Sequence, residues 1–585
     1  MNENKNTALE KRIKKHVIGK PHRFEAVAPL GFENTLVEEL KYIGIEVIGS
    51  DKDSGFKVTN DSGIKAADEN SGIKVVGDGK VEFTAKITEA WKAVAYSRIA
   101  NRVLMEIGSF RAENFGQLEK GAAGIPWELF LNSIPESCNE DTANLQLHVT
   151  CKHSRLYHSD AVEERVRKAI ENAFHANKNI PTTQTVASAT SASHVIARSE
   201  ATKQSTNSTQ TVAPANAGVY VRLQDDRCTL WLDLAGEELY KRGHERFVAE
   251  APLKETIAAA MIFEAVRLQA RGSRLQGSCD NNHQIDSQRK RSERPRTSSL
   301  EPRTFIDPMA GSGTFSLEAA YIANGLIPGK CRDFALKHQP AFKEATWNFI
   351  LKEANANRNV AKTSTKVIPA TNTNVIPNLF RENIPVIITS DISERPVSII
   401  KHNVECSPLA EIARSNPDAA IISPQLKDFF SYTVDDLTST AHSGYNTKRH
   451  CAKTHDNSDS PMRDQVLARS NLARHCEELR DEAIQSSIIL LNPPYGKRLD
   501  VNAPRLYTRI GQKLSELSRD AQTRGINLVV AILAPKDDTR NGAKYTCTAN
   551  LLASCPALDP RQNPAAKLIE TSHGGFSLNA FFAEI

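Results

Sequence analysis

The sequence predicts an α/β protein with a mixed sheet, preceded by a smaller α+β region. In the second half of the chain, short apolar segments alternate with helical patterns, as in parallel sheets whose strands are joined by helices. The segment from Lys567 to the end of the sequence reads as two apolar strands around Gly574-Gly575, which predicts an antiparallel hairpin. Parallel strands followed by such a hairpin make a mixed sheet.

Composition restricts the protein class. The chain has 585 residues, 40% hydrophobic and 24% charged, which is typical of a globular protein with two or three domains. It has no apolar run of about 18 residues, so we expect no membrane span. The ten cysteines are scattered without a CxxC pair, which argues against a zinc site and favours a reducing, cytoplasmic environment. A net charge of +5 permits a nucleic-acid partner without requiring one.

Four segments are predicted to be insertions: 181–217, 271–303, 354–383 and 437–486. They contain few large apolar residues, so they cannot bury enough surface to offset the entropy lost on ordering. The second carries eight Arg or Lys residues against four Asp or Glu residues. An RNA-binding arm is therefore an alternative interpretation of that segment.

The first half of the chain shows both helical and strand patterns. Strands are predicted at 23–29, 45–49, 79–87 and 144–152, helices at 31–44, 88–107 and 160–174, and a hairpin at 218–236. The hairpin is expected to turn at Asp225-Asp226, because the apolar alternation breaks there. Residues 1–20 are basic but have no apolar core, so they are interpreted as an N-terminal extension rather than a signal peptide.

The second half shows the regular alternation that predicts the parallel strands. Strands are predicted at 303–307, 385–391, 419–423, 487–492 and 526–533, with helices starting near Ala251, Thr314, Ser393 and Leu506. Ligands of open α/β sheets bind at the carboxyl ends of such strands. The polar residues that follow these strands are therefore the candidate site residues.

The first candidate is the stretch "DPMAGSGTF", residues 307–315. Asp307 and Pro308 end a strand, and a helix begins near Thr314. Gly311 and Gly313 permit a tight turn and a close approach of the backbone to a ligand. The pattern is not GxGxxG, so a dinucleotide fingerprint is not satisfied, and a plain structural turn is the alternative.

Two further acidic residues follow strands. Asp391, in "ITSDIS", is placed to accept hydrogen bonds from ribose hydroxyls, or to cap the next helix. Asp428 and Phe429, in "LKDFF", could bind an adenine amine and pack on its ring. Taken alone, that segment is better interpreted as a loop acid followed by core aromatics.

The last candidate is the corner Asn492-Pro493-Pro494-Tyr495, which follows the apolar strand "SIILL". The prolines fix φ and remove backbone donors, which leaves carbonyl groups and the Asn492 amide oxygen as acceptors. Such acceptors suit the exocyclic amine of a base, and Tyr495 could stack on the base face. A simple turn between strand and helix is the alternative.

These motifs, with "NPPYGKRL" last in the order, resemble the class I S-adenosylmethionine-dependent amino-methyltransferases, whose sheet is Rossmann-like, mixed and seven-stranded. Residues 239–262 resemble the junction between a THUMP domain and the catalytic domain in bacterial RNA guanine-N2 methyltransferases. Residues 149–166 resemble the THUMP core, and 24–44 resemble the ferredoxin-like start of the same family. The resemblance extends to the N-terminal half of the bifunctional 23S rRNA guanine methyltransferases.

The resemblance implies a domain order. Residues 1–20 would be a basic extension, 21–240 a ferredoxin-like plus THUMP region that binds RNA, and 241–585 the methyltransferase domain. The predicted insertions would lengthen connections within the last two. The second methyltransferase module of the bifunctional relatives is not expected in this chain.

The resemblance also implies roles for the candidate residues. The methionine end of the cofactor would contact Asp307, Pro308, Gly311, Gly313 and Thr314. Asp391 would hold the ribose, and Asp428 with Phe429 the adenine. The cofactor would be covered by Pro252, Leu253 and Lys254, and the target guanine held by Asn492, Pro493, Pro494 and Tyr495. Ala310 and Ser393 depart from the family pattern, where cysteine and a second acid are common.

The function that the resemblance implies is methyl transfer from S-adenosylmethionine to the N2 amine of a guanine in RNA. Large-subunit rRNA is the expected partner, and neither a metal nor a membrane is expected. Three alternatives remain: a tRNA guanine-N2 methyltransferase, a DNA adenine-N6 methyltransferase, and a non-catalytic RNA-binding factor for ribosome assembly.

Overall fold

The computed structural model describes residues 2–48, 72–132, 145–176, 218–248, 252–279, 304–352, 385–416, 419–437, 486–495, 502–537 and 546–585. The predicted insertions at 181–217 and 354–383 lie outside the described residues. So do residues 280–303 and 438–485 of the other two insertions, and Gly496 of the proline corner.

The described residues contain fourteen strands and thirteen helices. Strands β1–β14 span His22–Val27, Ile73–Gly77, Lys80–Ala85, Arg102–Arg111, Gln146–Lys152, Gly218–Gln224, Arg227–Asp233, Thr304–Asp307, Val386–Asp391, Ile422–Leu426, Ser486–Leu491, Asn527–Pro535, Lys567–His573 and Phe576–Glu584. Helices α1–α13 span Asn2–Ile13, Glu33–Ile43, Ile87–Tyr96, Phe115–Ala123, Ser159–Ala176, Glu255–Cys279, Thr314–Ala323, 344–352, Glu394–Glu405, Leu409–Ser415, Val434–Leu437, Ala503–Thr523 and Cys547–Ser554.

The chain divides into two compact units. The first unit comprises Met1–Arg23, Leu104–Glu237 and Asp333–Glu344, and the second comprises Phe24–Val103, Glu238–Arg332 and Ala345–Ile585. The sequence-based division between residues 240 and 241 lies close to the change of unit at Glu237. Residues 24–103, which the prediction assigns to the N-terminal region, group with the second unit.

In the first unit, four strands lie side by side in the order β4-β7-β6-β5. β7 is antiparallel to β4 and to β6, whereas β5 runs parallel to β6. Strands β6 and β7 form the predicted hairpin, with Asp225 at φ 51° and Asp226 at φ 60°. Two consecutive positive φ values give the tight turn whose twist matches that of the paired strands. The hairpin prediction is confirmed.

In the second unit, seven strands form a sheet in the order β10-β9-β8-β11-β12-β14-β13. The first five are parallel, and β14 is antiparallel to both β12 and β13. Ile489 of β11 pairs with Ile306 of β8 and with Val530 of β12, and all three are buried. The predicted mixed sheet and its terminal hairpin are therefore confirmed. β10 begins three residues later than predicted, at Ile422, and α6 begins at Glu255.

The predicted strand at 45–49 is wrong, because residues 45–48 form no strand. The Ile48 N–H donates to the carbonyl of Thr84 at 2.8 Å, but no ladder follows. A short alternating segment without a regular hydrogen-bonded partner remains irregular.

The predicted helix at 88–107 is wrong in its second half. Helix α3 ends at Tyr96, and β4 begins at Arg102. The buried carboxylate of Glu39 accepts hydrogen bonds from the Ser97 hydroxyl, from the Arg98 N–H at 2.8 Å and from the Ile99 N–H at 3.3 Å. These donors are satisfied outside any helix, so the chain leaves the helical path there.

No helix in the described part of the chain is both long enough and apolar enough to cross a membrane.

Candidate active site

The candidate residues gather at one edge of the second unit's sheet. Strands β10, β9, β8 and β11 are adjacent and parallel, so their carboxyl ends meet at the same edge. Asp307 ends β8, Asp391 ends β9, and Asn492 follows β11. The order of motifs along the sequence thus becomes a group of side chains at the carboxyl edge of the parallel strands, where open α/β sheets bind ligands.

The glycine-rich loop connects β8 to α7 through two residues in the left-handed backbone region. Gly311 has φ 54° and Gly313 has φ 76°, a region that favours glycine. The Ala310 N–H donates to the Ser390 carbonyl at 3.0 Å, which fixes the loop to the neighbouring strand β9. A Cβ atom at Gly313 would lie 2.9 Å from Ile400 of α9, whereas one at Gly311 would meet nothing within 4 Å. Gly313 is thus needed for packing, and Gly311 leaves open space beside the loop.

Asp307 is buried, with 2% of its surface exposed. Its Oδ2 accepts hydrogen bonds from the Ser316 N–H at 3.2 Å and from the Ser316 hydroxyl at 2.7 Å. The other oxygen, Oδ1, is buried without a hydrogen-bond partner among the described residues. Burial raises the pKa of Asp307 to about 7, and the nearby charge of Asp391 adds to the shift. The free Oδ1 can therefore accept a hydrogen bond from a ligand.

Asp391 is partly exposed and holds the glycine-rich loop. Its Oδ2 accepts a hydrogen bond from the Gly311 N–H at 3.0 Å, and its Oδ1 accepts one from the Ser393 N–H at 3.0 Å. The second bond closes a local turn before α9, whose N-cap is Ser393 without a side-chain capping bond, so Asp391 itself does not cap the helix. Each carboxylate oxygen retains a second acceptor direction.

Asp428 and Phe429 follow β10. The Asp428 Oδ1 caps a short 3₁₀ turn by accepting a hydrogen bond from the Phe430 N–H at 3.1 Å. Phe429 is only 2% exposed and packs against Tyr432 in the core, so its ring presents little surface to a ligand. Ile392, beside Asp391, is 68% exposed, and Leu426, which ends β10, is 56% exposed, so both are apolar side chains at this edge that a ring could cover.

The proline corner also contains an unsatisfied acceptor. Asn492 Oδ1 is buried and has no hydrogen-bond partner among the described residues. Pro493 is buried, and the Pro494 carbonyl accepts a hydrogen bond from the Tyr507 hydroxyl at 3.1 Å. This bond ties the corner to α12, so Asn492 is presented from a fixed backbone.

Tyr495 is packed into the protein. Tyr495 is only 3% exposed, and its hydroxyl lies 3.0 Å from Nδ1 of His573. The two rings meet edge to face, with centroids 6.1 Å apart. Since His573 ends β13, this contact joins the corner to the terminal hairpin. The stacking of Tyr495 on a base stays a prediction, whereas its contact with His573 is observed.

The segment before α6 lies against the glycine-rich loop. Leu253 is buried, and its carbonyl accepts a hydrogen bond from the Thr314 hydroxyl at 3.4 Å. Lys254 lies 3.5 Å from the Glu238 carboxylate and 4.7 Å from the centroid of the Tyr240 ring. Pro252 is partly exposed, and Pro308, at the start of the loop, is buried.

Arg246 is a residue that the sequence analysis missed. Its guanidinium forms an ion pair with Glu255 and donates hydrogen bonds to Thr314 and, at 3.3 Å, to the Ser312 hydroxyl. Its Nε is buried without an acceptor among the described residues. Arg246 lies in "RGHERF" without any periodic pattern, so its position within the stretch 239–262 that carries the resemblance was the available signal.

A buried ionic cluster supports α7 from within the unit. Glu318 is fully buried and accepts hydrogen bonds from the Arg242 Nε at 2.9 Å and from Arg98 at 3.4 Å. The Tyr321 hydroxyl lies 2.8 Å from Nε2 of His244, and burial lowers the pKa of that histidine. Such a satisfied network fixes the helix that follows the loop.

The residues fit a nucleoside cofactor that carries an amino acid. Asp307 offers an unpaired acceptor, Arg246 an unpaired donor, and Gly311 an open backbone position. Within the described ranges, no group of three or more His, Cys, Asp or Glu side chains is arranged to hold a metal ion.

Comparison with known proteins finds a family model that matches one segment of the chain. The model of the UPF0020 family, described as an RMKL-like methyltransferase domain, matches residues 296–423. A "Ribosomal RNA large subunit methyltransferase K/L" of Syntrophotalea carbinolica is 24% identical over 347 residues, which are 58% of this chain and 35% of the relative. The "Putative RNA methyltransferase YpsC" of Bacillus subtilis is 23% identical over 410 residues, which are 70% of this chain and 76% of that protein.

A solved structure shares the fold. This structure, "Crystal structure of SMU.472, a putative methyltransferase complexed with SAH", is 18% identical and superposes with a TM-score of 0.52 over 97% of this chain and 98% of the other. The predicted methyltransferase fold is therefore confirmed, and the chain resembles the K/L methyltransferases. The match spans about a third of the length of those K/L relatives.

Proposed function

We propose that this chain transfers a methyl group from S-adenosylmethionine to the exocyclic N2 amine of a guanine in RNA, with large-subunit rRNA as the substrate. The observation that carries the proposal is the unpaired Asn492 Oδ1. It follows β11, which lies next to the strand that leads into the glycine-rich loop. A buried acceptor costs about 1–3 kcal/mol while it is unpaired, and an amine substrate would satisfy it.

The role of Asn492 follows from the chemistry of the amine. The nitrogen lone pair of a guanine amine is delocalised into the ring, so the amine is a poor nucleophile. By accepting a hydrogen bond from one amine hydrogen, Asn492 Oδ1 would orient the nitrogen toward the methyl donor. The gain is then one of positioning, for which the fixed corner at Pro494 and Tyr507 is suited.

The cofactor would lie along the glycine-rich loop. Asp307 Oδ1 would accept from its ammonium group, and Asp391 would accept from the ribose hydroxyls. Asp428 would bind the adenine amine, with exposed Ile392 as the apolar surface for the adenine ring. The sulfonium of the bound cofactor supplies an electrophilic methyl group.

The first unit is the proposed RNA-binding part of the chain. A groove of about 530 Å³ lies between β4 and α4. Arg111 and Lys120 line it together with Phe110, which combines cations for phosphates with a ring for bases. The names of the relatives, which specify RNA or large-subunit rRNA, favour this substrate over DNA. A cytoplasmic location follows from such a substrate.

The test is tritiated-methyl incorporation into protein-free rRNA that lacks the modification, followed by nucleoside analysis. Asn492→Ala should lower kcat roughly 100-fold or more, as removal of a positioned transition-state contact does. Cofactor affinity should stay within a few-fold, because the Asn492 amide faces the substrate. Asn550→Ala, an asparagine replaced on α13 outside the site, is the matched control and should keep parental turnover.

Each outcome has a separate meaning. Near-parental turnover of Asn492→Ala would reduce the corner to a structural turn and remove it from catalysis. Label in adenine-N6 instead of guanine-N2 would contradict the base assignment. Label in tRNA but not in rRNA would contradict the RNA assignment alone.

A further inference from the structure

Arg246 presents an unusual combination of buried contacts. The residue has 10% of its side chain exposed, and both terminal nitrogens are engaged, one with Glu255 and the other with Ser312 and Thr314. Only its Nε–H lacks an acceptor among the described residues. A guanidinium in a folded protein keeps its charge, so this N–H points to an acceptor that the described residues do not provide.

The backbone beside Arg246 is fixed by a second residue. The Asn403 side chain accepts a hydrogen bond from the Phe247 N–H at 2.8 Å and donates to the Phe247 carbonyl at 2.9 Å. The same amide donates to the Ser312 carbonyl at 3.1 Å. The segment that carries Arg246 is thereby joined to the glycine-rich loop twice, once through the guanidinium and once through Asn403.

The unpaired donor has a counterpart of opposite polarity. Asp307 Oδ1 is an unpaired acceptor, and its carboxylate is held by Ser316. Arg246 is held by Ser312 and Thr314, so both groups are attached to the stretch 312–316. An α-amino acid carries an ammonium and a carboxylate on one carbon, and this pair of groups complements a donor and an acceptor at one site.

We propose that the Nε–H of Arg246 binds the carboxylate of the cofactor's amino-acid moiety. This inference rests on the proposed use of S-adenosylmethionine, and it assigns to Arg246 a binding role that the motifs do not contain. Glu255 then orients the guanidinium through Nη1, and this contact leaves the Nε–H available for a second carboxylate.

The competing interpretation is that Arg246 only ties α6 to the loop. A purely structural tie would affect every ligand of the site equally, whatever groups the ligand carries. Carboxylate recognition would affect only ligands that have the carboxylate. A thermodynamic cycle, in which the arginine and the ligand carboxylate are removed singly and together, separates the two interpretations.

The experiment measures calorimetric affinity for S-adenosylhomocysteine and for its decarboxylated analogue. The parent protein should bind the analogue at least tenfold more weakly. Arg246→Met should bind S-adenosylhomocysteine at least tenfold more weakly than the parent does, with almost no further loss for the analogue. Glu255→Gln is the matched control, because it disrupts the ion pair, keeps Nε, and should retain the discrimination between the two ligands.

Several results would overturn the inference. Equal affinity of the parent for both ligands excludes carboxylate recognition without any variant, even if Arg246→Met fails to fold. Equal weakening of both ligands by Arg246→Met assigns the residue a structural role. If the parent binds neither ligand, the proposed function fails as well, so the two failures are distinguishable.

Discussion

At the scale of single residues, the proposed chemistry depends on buried polar atoms without a hydrogen-bond partner among the described residues. Three such atoms lie at the candidate site among the described residues: Asp307 Oδ1, Asn492 Oδ1 and Arg246 Nε. Folded proteins pair nearly all buried polar groups, so these atoms are candidates for the ligand contacts proposed above. Their polarities match a cofactor ammonium, a substrate amine and a carboxylate, respectively.

Asp307 should make the stability of the ligand-free protein depend on pH. Its pKa is about 7 in the fold and about 3.9 in an unfolded chain. The protonated carboxyl is therefore favoured in the fold, and this stabilisation, fully present below about pH 4, is lost as the pH rises through about 7. Asp307→Asn keeps an oxygen for Ser316 but cannot ionise. The difference in free energy of unfolding, Asp307→Asn minus the parent, should therefore increase by a few kcal/mol between pH 4 and pH 8, because only the parent loses stability.

Chemical unfolding in urea across that pH range measures the effect. S-adenosylhomocysteine at pH 8 should then stabilise the parent more than Asp307→Asn, because its ammonium pairs with the ionised carboxylate. A stability difference that stays constant from pH 4 to pH 8 would contradict the raised pKa.

Tyr495 illustrates what a motif leaves open. The sequence indicates an aromatic ring near a base, and the geometry adds that the hydroxyl contacts His573 while the residue is almost fully buried. His573 is distant in sequence, on β13, so this contact depends on how the terminal hairpin folds back beside β12. No local pattern in "NPPY" contains that information.

At the scale of elements, the loop between β8 and α7 depends on two glycines in different ways. Gly311→Ala should cost roughly 1 kcal/mol of unfolding free energy, since the only penalty is the left-handed backbone. Gly313→Ala should cost about 2 kcal/mol or more, because the added Cβ would also meet Ile400 at 2.9 Å. Urea unfolding of both variants measures the difference.

The double variant Gly313→Ala with Ile400→Ala provides the control. Removing the isoleucine side chain relieves the contact, so the combined loss should be smaller than the sum of the single losses. Additive losses, or equal costs at the two glycines, would contradict the packing argument.

Elements were predictable from sequence where one local pattern decides the structure. Alternating apolar residues and turn residues at Asp225-Asp226 and Gly574-Gly575 predicted both hairpins, and alternating strand and helix patterns predicted the parallel strands whose carboxyl ends carry the candidate residues. The segment 88–107 was not predictable, because its helix ends where Glu39, a distant residue, accepts the backbone donors. Arg246 was missed for the same reason, since its contacts are made across the chain rather than along it.

At the scale of the whole molecule, the segment 181–217 interrupts a βαβ unit. Helix α5 ends at Ala176, β6 begins at Gly218, and β6 pairs in parallel with β5 over its full length. If 181–217 were removed, residues 177–180 would still connect the helix to the strand. Connections of two to six residues are usual at this position in α/β units.

Deletion of 181–217 should therefore leave methyl transfer to rRNA and the unfolding midpoint close to those of the full chain. The segment is rich in Ser, Thr and Ala, and shortening a long surface connection changes the loop entropy by only about 1–2 kcal/mol. Deletion of 218–224 is the contrasting control: it removes β6 from between β5 and β7 and should abolish soluble expression. If the first deletion also yields insoluble protein, 181–217 contributes to the fold. If it yields soluble protein that binds the cofactor but no longer methylates rRNA, the segment takes part in RNA engagement, and its interpretation as a passive insertion is wrong.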